Sequence, residues 1–310
     1  MSNKNNGFHH ISVLFNESID SLNIRPDGIY VDCTSGGGGH SSAIAKRLKD
    51  GRLIAIDRDP EAIETLKERL GGYECVTLVH DNFFNIRAIL DNLGIDAVDG
   101  ILADLGVSSH QLDEPSRGFS FHNDAPLDMR MSLEGMSAKQ VVNTLSQSEL
   151  QRIIFDYGEE KFAPSISRAI VRAREEKPIE TTLELSEIIK SAMPAAARRD
   201  GHPARRTFQA IRIYVNGELD GLGEAAENMF DCLKEGGRVS IITFHSLEDR
   251  IIKQAFAPLA KGCTCPRNFP VCVCGNKPRA KVLKAVSPGK AEIEENPRSR
   301  SAKLRTAERL

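Results

Sequence analysis

Four consecutive glycines at residues 36–39 are the first feature of this chain with a clear chemical consequence. They lie between an apolar run and a segment of helical periodicity that begins at His40. Glycine lets a backbone approach a ligand closely, and the start of the next helix offers free N–H groups. Asp57 follows Gly36 by 21 positions, a spacing typical of the carboxylate that binds ribose hydroxyls. These residues predict a nucleoside site, with a purely structural tight turn as the alternative.

Short apolar runs alternate with amphipathic helical segments around these residues. The runs are typical of buried strands, and the segments between them are typical of helices that pack on a sheet. The predicted strands are residues 28–34, 52–57, 73–81, 98–106 and, after a long interruption, 238–246. This alternation predicts a parallel α/β sheet with helices on both faces. Ligands of such sheets bind beyond the carboxyl ends of the strands, where the glycines and Asp57 lie.

The alternation of strands and helices stops after Val107. A loop rich in Ser, Asp, Gly and Pro follows, and then helical patterns without strands run from about residue 137 to 193. The sheet pattern returns with one long helix predicted near residues 209–237. We therefore predict a split α/β domain, residues 1–108 and 207–310, with an inserted α-helical substrate-recognition domain at residues 109–206.

The identity of the nucleoside follows from what the glycine loop lacks. The dinucleotide fingerprint G-x-G-x-x-G fails in both frames, because Ser41 and Ser42 stand where the third glycine is needed. No G-K-[ST] follows the glycines, which excludes a phosphate-binding P-loop. S-adenosylmethionine has no phosphate, and its amino-acid end suits Asp32 and the loop backbone. The sequence therefore favours a Rossmann-like methyltransferase that uses S-adenosylmethionine.

Composition and charge restrict the class of protein. Hydrophobic residues make up 40% and charged residues 27%, values typical of globular chains. No apolar run approaches a membrane span and the N-terminal residues lack a secretory pattern, so we expect a cytoplasmic protein without a membrane partner. Residues 261–310 contain 12 Lys and Arg against 4 Asp and Glu. A tail of this kind either contacts phosphates or is a solvated extension.

Seven sequence blocks resemble the MraW/RsmH family of S-adenosylmethionine-dependent methyltransferases, which modify N4 of a cytosine in the decoding centre of bacterial 16S ribosomal RNA. The blocks are "DCTSGGGGHS", "AIDRDPEAI", "ILADLGVSSHQLDEPSRGFSF", "APLDMRM", "TFQAIRIYVNGEL", "ITFHSLEDRIIK" and "ENPRSRSAKLRTAER". They span nearly the whole chain. The resemblance implies methyl transfer to the P site of 16S rRNA in the small ribosomal subunit.

The same resemblance implies a set of cofactor contacts at the strand ends. They are Gly38, Gly39, His40, Asp57, Phe83, Asp104 and Gln111. The residue types agree with these roles, since a carboxylate can accept both ribose hydroxyls and an aromatic ring can cover an adenine. Structural alternatives stay open: Phe83 as a core residue, His40 as a helix cap, and Asp104 as a residue that fixes the following turn.

Methyl transfer to an exocyclic amine also needs an acceptor for the amine proton. The candidates are polar side chains near predicted strand ends or in the family blocks: Asp104, Asn216 and His245, with Ser108 and Asp128 as competitors. A cytosine carbon-5 mechanism would need a cysteine nucleophile, and none follows the fourth strand. Rival interpretations are a non-catalytic RNA-binding or ribosome-assembly protein and a methyltransferase for another substrate.

One segment at the end of the insert and just beyond it predicts a surface for RNA. It combines arginines, which bind phosphates, with an aromatic residue that could stack on a base. The predicted contacts are Arg198, Arg199, Arg205, Arg206, Phe208 and Arg212. Arginines beside a helix are also often only solvated, which is the alternative here.

Four cysteines lie within twelve residues near the C-terminus. They are Cys263, Cys265, Cys272 and Cys274. Four thiolates could bind one tetrahedral zinc ion in a structural site, although the C-x-C spacing is tighter than the usual C-x₂₋₄-C. Disulfides are not expected in a reducing compartment, so the alternative to structural zinc is four free thiols.

Overall fold

A computed structural model describes residues 12–310 of the chain, except residues 200, 264, 267, 268 and 272 and the side chain of residue 199. The chain divides into two compact units. One unit comprises the chain up to Gly106 together with Gly221–Leu310, and the other is Val107–Asp220. The sequence predicts an insert that ends at residue 206, whereas the second unit ends at Asp220.

Seven strands form one sheet in the described part of the first unit. They are β1 (Ile29–Asp32), β2 (Arg52–Asp57), β3 (Val76–His80), β4 (Val98–Asp104), β5 (Leu233–Thr243), β6 (Ala280–Val282) and β7 (Lys303–Arg309). Their order is β3-β2-β1-β4-β5-β7-β6. The first five are parallel, whereas β7 runs antiparallel between β5 and β6. The predicted α/β sheet is confirmed.

The α-helices of the described residues follow the expected alternation. They are α1 (Phe15–Ser21), α2 (Gly39–Ala45), α3 (Pro60–Leu70), α4 (Ile86–Asn92), α5 (Ser109–Asp113), α6 (Ala138–Thr144), α7 (Gln147–Gly158), α8 (Ala163–Glu176), α9 (Thr182–Ala192), α10 (Arg205–Asn216), α11 (Leu222–Asp231), α12 (Ser246–Leu259) and α13 (Lys290–Glu295). No helix among the described residues is long and apolar enough to cross a bilayer.

The turn between α10 and α11 corrects the long helix predicted after the insert. Gly217 has φ +57° at the C-terminal cap of α10, a left-handed conformation that glycine adopts without strain. Gly221, with φ +79°, begins the next helix. The two glycines therefore divide the predicted helix into α10, which belongs to the helical unit, and α11, which belongs to the sheet unit.

The sheet core explains why the strands were recognisable from sequence. Residues 53–56 of β2 are all fully buried, as are Ile101, Leu102 and Ala103 of β4. Strands covered by helices on both faces lose the apolar-polar alternation and become continuous apolar runs. The helix α3, which follows β2, begins as expected from the sequence. Asp59 accepts from the Glu61 amide at 3.0 Å, and Pro60 lies in the first turn.

The strand order creates one position where the chain direction across the sheet reverses. From β1 the chain proceeds to β2 and β3 on one side, and it then crosses to β4 and β5 on the other side. Loops that leave β1 and β4 therefore separate in opposite directions, which leaves a crevice beyond their carboxyl ends. The last residues of β1, β2 and β4 are Asp32, Asp57 and Asp104.

The helical unit, Val107–Asp220, has its own apolar core. Side chains from α6 to α10 and from the preceding loop form it, including Met129, Val141, Leu150, Ile166, Ile189, Phe208 and Ile211, all at most 3% exposed. The loop is fixed to α10 by the amide of Asn216, which accepts from the Met131 N–H at 2.8 Å and donates to the Met129 carbonyl at 2.7 Å. A self-contained core of this kind is characteristic of a domain.

Candidate active site at the carboxyl ends of the strands

The glycine loop after β1 lies against the end of β2. Gly36 and Gly38 have positive φ angles of 47° and 77°. The Gly36 amide donates to Oδ2 of Asp57 at 2.7 Å. A Cβ atom added to Gly37 would meet no heavy atom within 4 Å, so this residue borders open space. The loop therefore contacts the end of β2 through its backbone and leaves Gly37 exposed.

Asp57 is fixed by the backbone on both sides. In addition to the Gly36 contact, its Oδ1 accepts from the Asp59 amide at 2.9 Å. Burial raises the pKa of the Asp57 carboxyl above its ordinary value, and the two amide hydrogen bonds oppose this rise. Each carboxylate oxygen has a second lone pair, so the contacts orient the group without exhausting its capacity for ligand hydroxyls.

Asp32 is the most enclosed acid of the site, with 1% of its surface exposed. Its Oδ2 accepts from the Ser41 hydroxyl at 2.5 Å and its Oδ1 from the Thr34 amide at 3.3 Å. Burial raises the pKa of the Asp32 carboxyl to about 6, and the Asp57 charge adds to the rise. The group is therefore close to its titration range at neutral pH.

Asp104 differs from the other two acids because one of its oxygens has no hydrogen-bond partner among the described residues. This buried atom is Oδ1, whereas Oδ2 lies 3.8 Å from Nδ1 of His40. Burial, then the charges of Asp32 and Glu248, raise the pKa of Asp104 well above its ordinary value. Among the described residues, this oxygen is therefore a buried acceptor that can still receive a hydrogen bond from a ligand.

We call Asp57, Asp32 and Asp104 the carboxylate row, since they end three adjacent parallel strands, with Asp32 in the middle. Neighbouring strands are about 4.8 Å apart, so the three acids repel one another when ionised. A positively charged ligand would relieve this repulsion. The row therefore fits a cationic nucleoside better than a phosphate-bearing one, in agreement with the absence of both phosphate-binding patterns.

His40 and Phe83 are placed differently around the row. His40 is 5% exposed, and its ring stacks on Phe15 with the centroids 5.6 Å apart. Its side chain is therefore held beside Asp104. Phe83 is half-buried in a short 3-10 turn after β3 and makes an edge contact with Phe84 at 4.8 Å. It lies outside the fully buried core, which leaves part of its ring available to a ligand.

Four of the five candidate proton acceptors have structural contacts in their own units. His245 caps α12, with its Nδ1 3.4 Å from the Glu248 amide. The Asn216 amide holds the 129–131 backbone, as described above. Asp128 forms a two-point ion pair with Arg130, and Ser108 caps α5 together with Gln111. Asp104 is the remaining candidate: it ends β4, and its Oδ1 has no hydrogen-bond partner among the described residues.

Gln111, a predicted cofactor contact, lies in the helical unit. It is 5% exposed, and its Oε1 accepts from the Ser108 amide at 3.0 Å. This is the reciprocal half of the capping box at the start of α5. The described contacts therefore give Gln111 a local structural role, and its contact with a cofactor stays a prediction.

Two residues of the predicted RNA surface are corrected by their environments. Phe208 is 3% exposed and belongs to the helical core, so the prediction that it stacks on RNA is wrong. Arg212 makes two hydrogen bonds to Glu218, at 2.9 and 2.8 Å, with a side chain that is only 16% exposed. Its charge is neutralised within the protein, which removes it from a phosphate-binding surface.

The other arginines of the predicted RNA surface are exposed to solvent where their side chains are described. Arg198, Arg205 and Arg206 are exposed, and the side chain of Arg199 lies outside the described residues. Arg206 donates to the Glu159 carbonyl at 3.2 Å, which orients its guanidinium without neutralising it. Three exposed positive charges thus lie on the approach to α10 and on its first turn.

An aromatic group near these arginines was missed in the sequence. The Phe121 ring lies 4.3 Å from the His202 ring, nearly parallel to it, and 4.5 Å from the His122 ring. His202 is joined to α10, since its carbonyl accepts from the Arg205 amide at 3.1 Å. Burial lowers the pKa of His202, which favours the neutral ring. Two segments 80 residues apart form this group, so no local sequence motif predicts it.

The cysteine cluster is partly described. The sulfur atoms of Cys263, Cys265 and Cys274 all lie within 4.8 Å of one another. Cys272, the fourth predicted ligand, lies outside the described residues. The structure therefore brings together the three predicted ligands that it describes.

The chain is similar to known proteins over nearly its whole length. The model of the MraW methylase family matches residues 7–310. A ribosomal RNA small subunit methyltransferase H of Clostridium botulinum (strain Kyoto) is 59% identical over 307 residues, covering 98% of this chain and 99% of the relative. A protein of the same name from Brevibacillus brevis is 56% identical over 309 residues, which cover 98% of this chain and 98% of the relative. An rRNA methylase structure from Streptococcus thermophilus aligns with a TM-score of 0.42 at 15% identity, over 97% of this chain and 99% of that one.

Proposed function

Because the chain belongs to the MraW methylase family, we propose that it transfers a methyl group from S-adenosylmethionine to N4 of a cytosine in the decoding centre, at the P site, of 16S rRNA. The family and the relatives named ribosomal RNA small subunit methyltransferase H carry the coarser statement, an S-adenosylmethionine-dependent rRNA methyltransferase. The cytosine N4 atom and the decoding centre rest on the resemblance of the sequence blocks. A cytoplasmic location belongs to the same proposal.

The residues of the sheet unit fit S-adenosylmethionine. The ligand carries a sulfonium and an ammonium charge, and the carboxylate row provides opposite charge in a buried setting. Asp57 would hold the ribose hydroxyls, and Asp32 with the glycine loop would hold the amino-acid end. The open space at Gly37 allows close approach. When bound, the cofactor supplies an electrophilic methyl group; the protein's own contribution is to hold the reactants and accept a proton.

Asp104 supports this chemistry best as the proton acceptor. Attack by an exocyclic amine leaves a proton on nitrogen, and a carboxylate with a raised pKa accepts a proton more readily than an ordinary one. The Asp104 pKa is raised by burial and by like charges, and its Oδ1 has no partner in the described protein. Its backbone is fixed by the Asp104 N–H bond to the Thr34 hydroxyl at 2.6 Å. Proton acceptance by an oriented group typically contributes about 10²- to 10⁴-fold to a rate.

Cofactor binding is expected to depend on pH in a direction set by the carboxylate row. A cation favours ionised acids, so the affinity for S-adenosylmethionine should be lost as pH falls through about 6, the pKa of Asp32. The loss should approach about tenfold per pH unit for one coupled proton. Calorimetry between about pH 5 and 8 measures it. S-adenosylhomocysteine lacks the sulfonium charge and is the matched ligand: we expect a weaker dependence. Equal affinity at all pH values would contradict the cationic role of the row.

The helical unit supports recognition of RNA. Its exposed Arg198, Arg205 and Arg206 can bind phosphates, and the ring group of Phe121, His122 and His202 offers an aromatic surface for an unpaired base. His122 is exposed, and Phe121 and His202 are half-buried. We propose that this ring group, instead of Phe208, provides the stacking contact.

Charge reversal at Arg205 and Arg206 tests the RNA surface. Arg205→Glu with Arg206→Glu should weaken RNA binding and lower the slope of log affinity against log salt by about one for each lost phosphate contact. Affinity for S-adenosylmethionine and the melting temperature should stay near wild type. The matched control is Arg168→Glu with Arg172→Glu, an equal charge change at exposed positions of α8. Filter binding at two salt concentrations measures the effect; an equal loss in both double variants would contradict a localised surface.

Methyl transfer itself tests the proposed function. Labelled S-adenosylmethionine, small ribosomal subunits and the full-length chain should together produce labelled RNA. The Asp27→Ala variant, altered at a side chain that is 73% exposed before β1, is expected to behave as wild type. An absence of label in RNA, with cofactor binding intact, would favour a non-catalytic RNA-binding protein.

A further inference from the structure

The segment between α12 and β6 has no core of its own. None of its described residues from Lys261 to Arg279 is buried, and none belongs to a helix or strand. The ends of the segment are joined, because the Arg279 amide donates to the Leu259 carbonyl at 2.8 Å and the Asn276 side chain donates to the Gly262 carbonyl at 2.8 Å. Short segments without a core usually need a disulfide or a metal to hold one conformation.

Three thiols converge inside this closed segment. Sγ of Cys263 and Sγ of Cys274 are 3.8 Å apart, and Sγ of Cys265 lies within 4.8 Å of both. A disulfide requires sulfur atoms about 2.0 Å apart, so the pair is not bonded. In a tetrahedral zinc site with Zn–S bonds of about 2.3 Å, neighbouring sulfurs are about 3.8 Å apart. The observed separation therefore has the dimension of a metal site.

The backbone around the thiols supports the same interpretation. Cys263 and Cys265 are only two residues apart in the sequence, yet their sulfur atoms lie within 4.8 Å of each other and of the Cys274 sulfur. The Val273 amide donates to Sγ of Cys265 at 3.4 Å. Donors from the surrounding shell orient metal ligands and stabilise their charge. The contact therefore suits a thiolate that is held as a ligand.

We propose that Cys263, Cys265 and Cys274 bind one zinc ion that closes the segment between α12 and β6. Thiolates are soft ligands, and a tetrahedral site rich in sulfur selects zinc. The three sulfurs leave the fourth position of the tetrahedron to one further ligand. The role is structural: the ion fixes residues 261–279, which carry the exposed side chains of Phe269, Val271 and Val273.

Metal analysis of the full-length chain tests the proposal. Protein purified without chelator should contain about one zinc ion per chain, as expected for a structural site. Cys263→Ser with Cys274→Ser should reduce the zinc content at least tenfold. Cys75→Ser, which removes a half-buried thiol elsewhere in the sheet unit, is the matched control and should keep the zinc.

Two further measurements make the result decisive. Replacement of zinc by Co²⁺ should produce thiolate-to-metal absorption in the wild type and not in the double variant. Chelation should accelerate proteolytic cleavage between residues 261 and 279 by at least tenfold. Wild-type protein that contains no zinc and, after reduction of its thiols, takes up no Co²⁺ would overturn the proposal. Retention of the metal by the double variant would overturn it as well.

Discussion

Asp104→Asn should reduce the rate of methyl transfer by about 10²- to 10⁴-fold, the usual contribution of an oriented base. The change keeps the size of the side chain but removes its ability to accept a proton. Because the pKa of Asp104 is raised by burial and by like charges, its ionised form is costly in the apo-protein. We therefore expect the variant to fold at least as stably as wild type.

The pH profile separates a base from a residue with only a structural role. Wild-type kcat should fall on the acid side as Asp104 becomes protonated, and the residual activity of Asp104→Asn should lack that acid limb. His245→Ala and Asn216→Ala are comparison variants, because both side chains hold backbone in place and their loss should first lower the melting temperature. A stable Asp104→Asn variant with wild-type kcat, or a stable His245→Ala variant that loses all activity, would contradict the assignment.

Asp57→Ala should weaken S-adenosylmethionine binding by about 1.5 to 3 kcal/mol, about 10- to 150-fold, which is the scale of hydrogen bonds to a charged group. The variant loses the proposed ribose contacts and also the acceptor for the Gly36 amide. Titration calorimetry measures the affinity, and thermal melting of the apo-protein reports the loop. Asp27→Ala is again the control, since it lies before β1 at the opposite edge of the sheet. Unchanged affinity in folded Asp57→Ala would remove the ribose role.

The sheet and its carboxylate row could be predicted because their signals are local. Buried parallel strands appear as apolar runs, and an acid that ends such a run lies at the ligand edge wherever the strand pairs. The antiparallel strand β7 was not predicted, because its sequence is not a continuous apolar run. In β7, which is 7 residues long, the buried Leu304 and Thr306 alternate with charged side chains, and the segment was interpreted as part of a basic tail.

The substrate surface was harder to predict, since its contacts join distant parts of the chain. Phe208 lies beside arginines in sequence, but its position on the buried face of α10 depends on how the other helices pack. The ion pair of Arg212 with Glu218 spans six residues and depends on the turn at Gly217. The group of Phe121 and His202 requires the fold of the whole helical unit before its rings meet.

Mapping the methyl group that the chain transfers tests the proposed reaction most directly. Small ribosomal subunits lacking the modification would be incubated with the full-length protein and labelled S-adenosylmethionine, and the 16S rRNA would then be digested and analysed by mass spectrometry. We expect label in N4-methylated cytidine at one position, in the fragment that contains the P site of the decoding centre. Label in another nucleoside, at carbon 5 of cytosine, or in another region of the RNA would contradict it.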